Sequence, residues 1–202
     1  MPAEKGSETE VYAALILAGG RSRRMGRDKL MLPQEGTTVL EATVRRFSEK
    51  FDRVLLSVDR PDRYPDIAVT HVTDMFPGCG PLAGLHAGLK AAGGDGVFLA
   101  AADLPFSDPE TALRMIELRG GHEICVMRDE RGRFEPLFAW YGIAVLPEAE
   151  KLLASGKRAM TELFETADVL TVSAAELGIP EGSRMLANMN RPEDYEELIG
   201  QR

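Results

Sequence analysis

The sequence predicts an α/β fold of three layers, with helices on both faces of a mainly parallel central sheet. Three observations lead there. Continuous apolar runs alternate with segments of helical periodicity from residue 11 to residue 118, and such alternation implies right-handed βαβ crossovers. The apolar runs lack the in-out alternation of a half-exposed sheet, as strands covered on both faces do. The 202 residues contain no internal repeat, low-complexity tract or long linker, and residues 11–202 are expected to form one domain with a sizeable core.

Each element can be read in order. Residues 11–18 (VYAALILA) are a short apolar run stopped by Gly19-Gly20, a buried parallel strand. A helix follows over 38–50, where Val39, Leu40, Val44 and Phe47 recur at helical spacing behind a Thr38 cap. Residues 53–58 (RVLLSV) and 67–72 are the second and third strands, and Pro61 and Pro65 mark the loop between them. Residues 82–92 read as a helix ended by Gly93-Gly94. Residues 97–102 (VFLAAA) are a fourth buried strand. Asp108 caps a helix over 109–118, with Pro109 at its first position. Residues 123–127 and 134–140 are two further strands, and 146–154, 160–164 and 192–199 the remaining helices. Residues 1–10 (MPAEKGSETE) are polar and acidic, and a disordered terminus is expected there.

Composition narrows the function. The chain is 44% hydrophobic and 28% charged, with a net charge of −8. That argues against an extended nucleic-acid-binding face, which needs clustered Lys and Arg. A small anion can still bind a local basic cluster in an acidic protein. No apolar run approaches the ~20 residues that span a bilayer, and the start is not a signal peptide. A soluble, cytoplasmic protein with no nucleic-acid or membrane partner is expected. Cys79 and Cys125 fit no metal spacing and read as reduced core residues, with a single disulfide as the alternative. His71, His86 and His122 show no paired metal spacing and read as structural.

The segment after the first strand, residues 17–29, is LAGGRSRRMGRDK. Arg21, Arg23, Arg24, Arg27 and Lys29 crowd nine positions that hold one acid, Asp28. Open α/β sheets bind ligands beyond the carboxyl ends of their strands, where this loop falls. Gly19 and Gly20 let the backbone approach a ligand closely, successive N–H groups can cradle phosphate oxygens, and Lys29 is a compact charge suited to a triphosphate. The spacing is neither that of a dinucleotide-binding fingerprint nor that of a P-loop. A solvated basic loop is the alternative; the buried strand and double glycine before it favour a ligand.

Two aspartates follow strands. Asp103 ends the fourth, in AADLPF, and Asp74 follows the third. In a parallel sheet both project from the edge that carries the basic loop. Mg²⁺ prefers one or two carboxylates plus phosphate oxygens and water, and Asp103 is the better candidate. Turn or helix capping is the alternative for each. Residues 76–84 (FPGCGPLAG) form a shaped turn into a helix whose N-terminus suits phosphate. Asn188 and Asn190 alternate on an extended segment; they can bond a polar heterocycle, or cap the last helix.

Together these residues resemble the molybdenum cofactor guanylyltransferase family over residues 15–198. The motifs are LAGGRSRRMGRDK at 17–29, Asp74, GPLAG at 80–84, ADLPF at 102–106, EPLFAWY at 135–141 and NMNRPEDYEEL at 188–198. The resemblance implies a three-layer Rossmann-like nucleotidyltransferase fold. It implies transfer of GMP from GTP to molybdopterin cofactor with Mg²⁺, releasing pyrophosphate, and as partners molybdopterin-insertion proteins and molybdoenzyme chaperones. It places Leu17, Ala18, Gly19, Lys29, Ser57, Asp74 and Asp103 at GTP, with Asp103 holding Mg²⁺. Lys29, Asp103 and Arg24 become catalytic, and Gly84, Asn188 and Asn190 face the pterin substrate. Two positions depart from the family: Ser57 stands where Asn is frequent and lacks its amide donor, and Ala102 stands where Cys is frequent.

Three other activities compete. The cytidylyltransferase of the same cofactor usually carries LAAG where this chain has LAGG. Sugar-1-phosphate nucleotidyltransferases are generally longer and lack the NMNRPED-type ending. A non-catalytic nucleotide-binding or cofactor-carrier module would not need Asp103 and Lys29 together.

Overall fold

The structure, a computed structural model, describes residues 12–19, 28–129 and 131–199. Gly20, Arg21, Arg23, Arg24 and Arg27, and the expected disordered terminus, lie outside the described residues. The chain runs β1 (Ala13–Leu17), β2 (Pro33–Gln34), β3 (Thr37–Thr38), α1 (Val39–Ser48), β4 (Arg53–Val58), β5 (Thr70–Thr73), α2 (Pro81–Ala92), β6 (Gly96–Ala101), α3 (Pro109–Leu118), β7 (Ile124–Arg128), β8 (Phe134–Gly142), α4 (Leu146–Ala154), β9 (Val169–Val172) and α5 (Pro192–Leu198). Seven strands make one sheet in the order β5-β4-β1-β6-β8-β7-β9. β5, β4, β1 and β6 are mutually parallel; β8 runs antiparallel to β6 and β7; β9 returns parallel to β7. No helix among the described residues is long and apolar enough to cross a membrane.

Strand residues serve two cores in alternation, because successive side chains point to opposite faces. Ala14 and Ile16 of β1, Leu56 of β4 and Phe98 of β6 pack with Leu40 and Phe47 of α1 and Met115 of α3. Leu15, Leu55, Val97 and Leu99 pack on the other face with Leu82, Leu85 and Leu89 of α2 and Leu152 and Leu153 of α4. These two cores are the outer interfaces of a three-layer fold, as the alternation of runs predicts.

The caps match their sequence signals. The Thr38 hydroxyl accepts the Glu41 amide while the Glu41 carboxylate accepts the Thr38 amide, a reciprocal capping box. The Asp108 carboxylate accepts the amides of Glu110 and Thr111 at the head of α3. The loop that follows β6 is tied down from α1 and β2: Arg46 and Gln34 both donate to the Pro105 carbonyl, at 2.8 and 3.1 Å. Cys125 is buried and Cys79 half-buried, and both are free thiols.

Several boundaries differ from expectation. The third strand begins at Thr70, not at 67. Ile67 is instead a buried plug whose amide bonds the Tyr64 carbonyl at 3.0 Å, so an apolar residue serves the core from a turn. The expected helix at 160–164 is a 3-10 segment, Met160–Glu165, with no side-chain cap; short uncapped pieces adopt this tighter winding. α1 stops at Ser48 and α5 at Leu198. The ribbon β2–β3, the 3-10 turn Lys29–Met31 and the edge strand β9 are additional elements.

Gly88 lets α2 lie close on β1: a Cβ there would overlap the Leu15 side chain. Gly88→Ala should therefore destabilise the fold by about 1–2 kcal/mol, the overpacking cost exceeding the roughly 1 kcal/mol gained in helix propensity. Urea denaturation reads the loss as a lower midpoint with an unchanged slope.

Candidate active site

The carboxyl edge of the parallel strands is set by register. Leu17, the last residue of β1, pairs with Ser57 on one side and Ala101 on the other. The ladder continues one step further: the Ala18 amide donates to the Ser57 carbonyl at 2.9 Å, and the Ala102 amide to the Leu17 carbonyl at 3.0 Å. The chain at Leu17–Gly19 thus leaves from the middle of the edge, with Ala18 buried and Gly19 exposed.

Leu17, Ser57, Asp74 and Gly84 form one group there. A Cβ on Gly84 would stand 2.6 Å from Ser57 Oγ and 2.8 Å from Leu17 Cδ2, so α2 can approach only with glycine at this position. The helix starts at Gly80 (φ 69°, ψ −152°), a left-handed position suited to glycine, with no side chain capping its first turn. Asp74 follows β5. Burial, then the charge of Asp59, push its carboxyl up to about 6, against the Ser57 hydroxyl, which pulls it down. Its Oδ1 is buried without a hydrogen-bond partner.

Lys29, Asp103 and Asn190 form a second group. Lys29 Nζ lies 2.7 Å from Asp103 Oδ2, 2.8 Å from the Met189 carbonyl and 3.3 Å from Asn190 Oδ1. The Met189 amide donates to the Asp103 carbonyl at 3.0 Å. Met189 itself is buried, and pins the C-terminal segment onto the sheet edge. Asn188 is exposed. Neither Asn caps α5: Arg191 holds the N-cap position, and the Asp194 carboxylate in the first turn reaches back to accept the amides of Asn190 and Arg191 at 2.7 Å each. Asp103 is no helix cap either, because Asp108 fills that role for α3.

Asp74 and Asp103 follow strands that lie three inter-strand steps apart, β5 and β6, about 14 Å at the usual spacing. Among the described residues no three of His, Cys, Asp or Glu group as a metal site. Arg24 lies outside the described residues.

Further residues border the site that sequence reasoning did not single out. The Met189 main chain carries no side-chain signal. Glu135 opens β8 beside Asp103; burial raises its pKa and the Asp103 charge adds to the rise. Its only signal is its place in the EPLFAWY motif. Asp28, Arg63 and Tyr64 form a cluster under Lys29 that a distance of 35 residues in sequence conceals.

A seven-stranded, mainly parallel sheet with helices on both faces and polar groups gathered at its carboxyl edge places the chain among Rossmann-like α/β proteins. Comparison with known proteins is more specific. Residues 14–169 match the MobA-like NTP transferase domain, and the chain belongs to that family of nucleotidyltransferases. It is 36% identical over 202 residues to a probable molybdenum cofactor guanylyltransferase of Methanosarcina mazei, covering 93% of this chain and 90% of the relative. A protein of the same description from Opitutus terrae is 39% identical over 199 residues, covering 93% and 95%. Among solved structures, molybdopterin-guanine dinucleotide biosynthesis protein A of Archaeoglobus fulgidus superposes with a TM-score of 0.80 at 22% identity, over 92% of this chain and 95% of that one. The Mycobacterium tuberculosis protein Rv0371c, solved in complex with manganese, superposes with a TM-score of 0.65 at 21% identity, over 95% and 100%. Both share the fold.

The raised Asp74 carboxyl makes stability pH-dependent. The folded state holds a proton up to about pH 6, whereas the unfolded chain releases it near 3.9. Wild-type stability is therefore lost across that window as pH rises. Asp74→Asn lacks the titration, so its stability relative to wild type should rise between pH 4 and pH 6. The gain should be roughly 1 kcal/mol, less than the ~3 kcal/mol of a full two-unit shift, because the side chain is only partly buried and solvent screens it. Melting curves of both proteins from pH 4 to 8 measure the divergence; parallel curves contradict it.

Proposed function

We propose that this protein transfers GMP from GTP to the terminal phosphate of molybdopterin cofactor, giving molybdopterin guanine dinucleotide and pyrophosphate. The observation that carries the reading is the spacing of the two groups: a carboxylate with one unpartnered buried oxygen at one end of the edge and a lysine–aspartate pair at the other. GTP would lie between them, its nucleoside toward Asp74 and its phosphates toward Lys29. The guanylyltransferase relatives, at 36% and 39% identity, support the choice of nucleotide and acceptor.

The residues take the following parts. The main chain at Leu17–Gly19 lies against the nucleotide, beside Ser57. The Asp74 Oδ1 acceptor fits a hydroxyl or N–H of the nucleoside, since a buried oxygen without a donor is costly. Lys29 turns from Asp103 to the phosphates, and Asp103 is thereby freed. A hard cation fits the oxygen donors of Asp103, and Mg²⁺ would be held jointly by that carboxylate, phosphate oxygens and water. Bound there it would offset charge on the phosphates and orient them. Asn190 and Asn188 face the pterin substrate and Arg24 acts in catalysis, whereas Gly84, buried against Leu17 and Ser57, serves the close approach of α2 instead of facing a substrate.

In the reaction an oxygen of the pterin phosphate attacks the α-phosphorus of GTP in line. One P–O bond forms there as the bond to the β-phosphate oxygen breaks, and pyrophosphate leaves with that electron pair. No covalent enzyme intermediate is needed; the chain supplies position and charge. The reaction is assigned to the cytoplasm, with molybdopterin-insertion proteins and molybdoenzyme chaperones receiving the product.

Pyrophosphate release with Mg²⁺, molybdopterin cofactor and each nucleoside triphosphate in turn tests the reading. GTP should be preferred; CTP outperforming it would replace the guanine assignment, and GTP binding without pyrophosphate would favour the carrier module. Asp103→Asn should lower turnover by about 100-fold or more, the scale of several kcal/mol of lost charge stabilisation, while melting as the wild type does.

A further inference from the structure

We infer that Tyr64 and Arg63 are positioning residues for Lys29: they lock the Asp28 carboxylate and, through it, the short turn from which Lys29 reaches the nucleotide phosphates. The inference rests on the reading of Lys29 as a phosphate ligand.

Lys29 opens a 3-10 turn of three residues, Lys29–Met31. So short a turn holds its shape only if its ends are tied. Asp28 ties the start: its Oδ1 accepts the Leu30 amide at 3.2 Å. Its Oδ2 accepts two further bonds, from the Tyr64 hydroxyl at 2.7 Å and from Arg63 Nη2 at 3.0 Å. Arg63 reaches the other way too, with Nη1 2.9 Å from Asp59 Oδ1. The guanidinium lies over the Tyr64 ring, 4.9 Å from its centroid. One planar cation thus joins the turn that bears Lys29 to Asp59, the residue after β4.

Two features mark this cluster as more than a loop anchor. Tyr64 has φ +57°, a left-handed conformation that a bulky residue adopts only when its surroundings impose it. A turn of the chain there could be had more cheaply with glycine; what tyrosine adds is a hydroxyl delivered to Asp28. The second feature is charge. Asp28 and Arg63 are partly withdrawn from water, which opposes ionisation of the carboxyl, yet the bonds from Tyr64 and Arg63 hold the Asp28 pKa below its ordinary value. Anchoring of a surface loop needs no such ionic core, and Ile67 beside it already supplies an apolar plug. A flexible lysine that must meet a phosphate does need a fixed origin, because an unfixed side chain loses freedom on binding.

GTP binding by calorimetry, on Lys29→Ala, Tyr64→Phe, Arg63→Gln and the double variants with Lys29→Ala, tests this. Tyr64→Phe keeps the ring and removes one bond to a charged group, so GTP should bind about tenfold more weakly. In the Lys29→Ala background the same change should shift affinity by less than about twofold, the non-additivity of coupled residues. Arg63→Gln should behave alike, with Arg63→Lys closer to wild type. Equal weakening in both backgrounds, or wild-type affinity in Tyr64→Phe, would overturn the positioning role. Unchanged affinity in Lys29→Ala would instead overturn the phosphate-ligand reading, and the inference with it.

Discussion

The in-register pairing of β1 between β4 and β6 is the constraint on which the site depends. It ends neighbouring strands at one level, so that Leu17, Ser57 and Ala101 lie side by side. Parallel strands need helices over both faces, and the two apolar cores supply the free energy that holds them there. That covering leaves the strand ends as the place where polar groups can be presented without unpairing the ladder. Gly84 and Gly88 extend the same logic to α2, which meets β1 and β4 so closely that a single added methyl group collides with Leu15, Leu17 or Ser57. The helix start and the strand ends are therefore one rigid body.

The Lys29–Asp103 pair reads differently once magnitudes are considered. Both side chains remain partly open to water, 16% and 23% exposed, and such pairs contribute about 0–1 kcal/mol. Its worth to the fold is small. Its worth to binding is that it can be exchanged at little cost: a triphosphate offers Lys29 more negative charge than one carboxylate does. The bond from the Met189 amide to the Asp103 carbonyl holds the backbone there while the side chains change partners, and the Met189 carbonyl accepts from Lys29 Nζ.

How far the sequence foretold this follows from what carries a periodic or local signal. The central strands, α1, α2 and α3 were legible because their apolar spacing and caps are local. Ile67 has the apolar character of a strand residue, yet it plugs the core from a turn, because burial does not require strand pairing. β9 escaped because four residues at a sheet edge carry little pattern. Lys29 stands out as a candidate by its place in the basic loop, and Asp74 and Asp103 by their places after strands. Met189 acts through its main chain, and the Asp28–Arg63–Tyr64 cluster through contacts across the loop between β4 and β5; neither leaves a mark in residue type.

The charge balance of the edge gives the basic loop its meaning. Among the described residues the edge presents Asp28, Asp59, Asp74, Asp103 and, close by, Glu135, against the cations Lys29 and Arg63. Arg63 is committed to Asp28 and Asp59, and Lys29 alone cannot offset a triphosphate beside Asp74 and Asp103. An anionic ligand on this surface therefore needs positive charge from elsewhere. On the proposed reading a divalent cation at Asp103 would supply part of it. Arg21, Arg23, Arg24 and Arg27 are the nearest further source in sequence, joined to the edge at Gly19 on one side and Asp28 on the other. On the proposed reading the arginines would supply that charge even where no single one makes an indispensable bond: replacing any two should weaken nucleotide binding in a salt-dependent way, with the fold left intact, because a long-range field is screened where a specific contact is not.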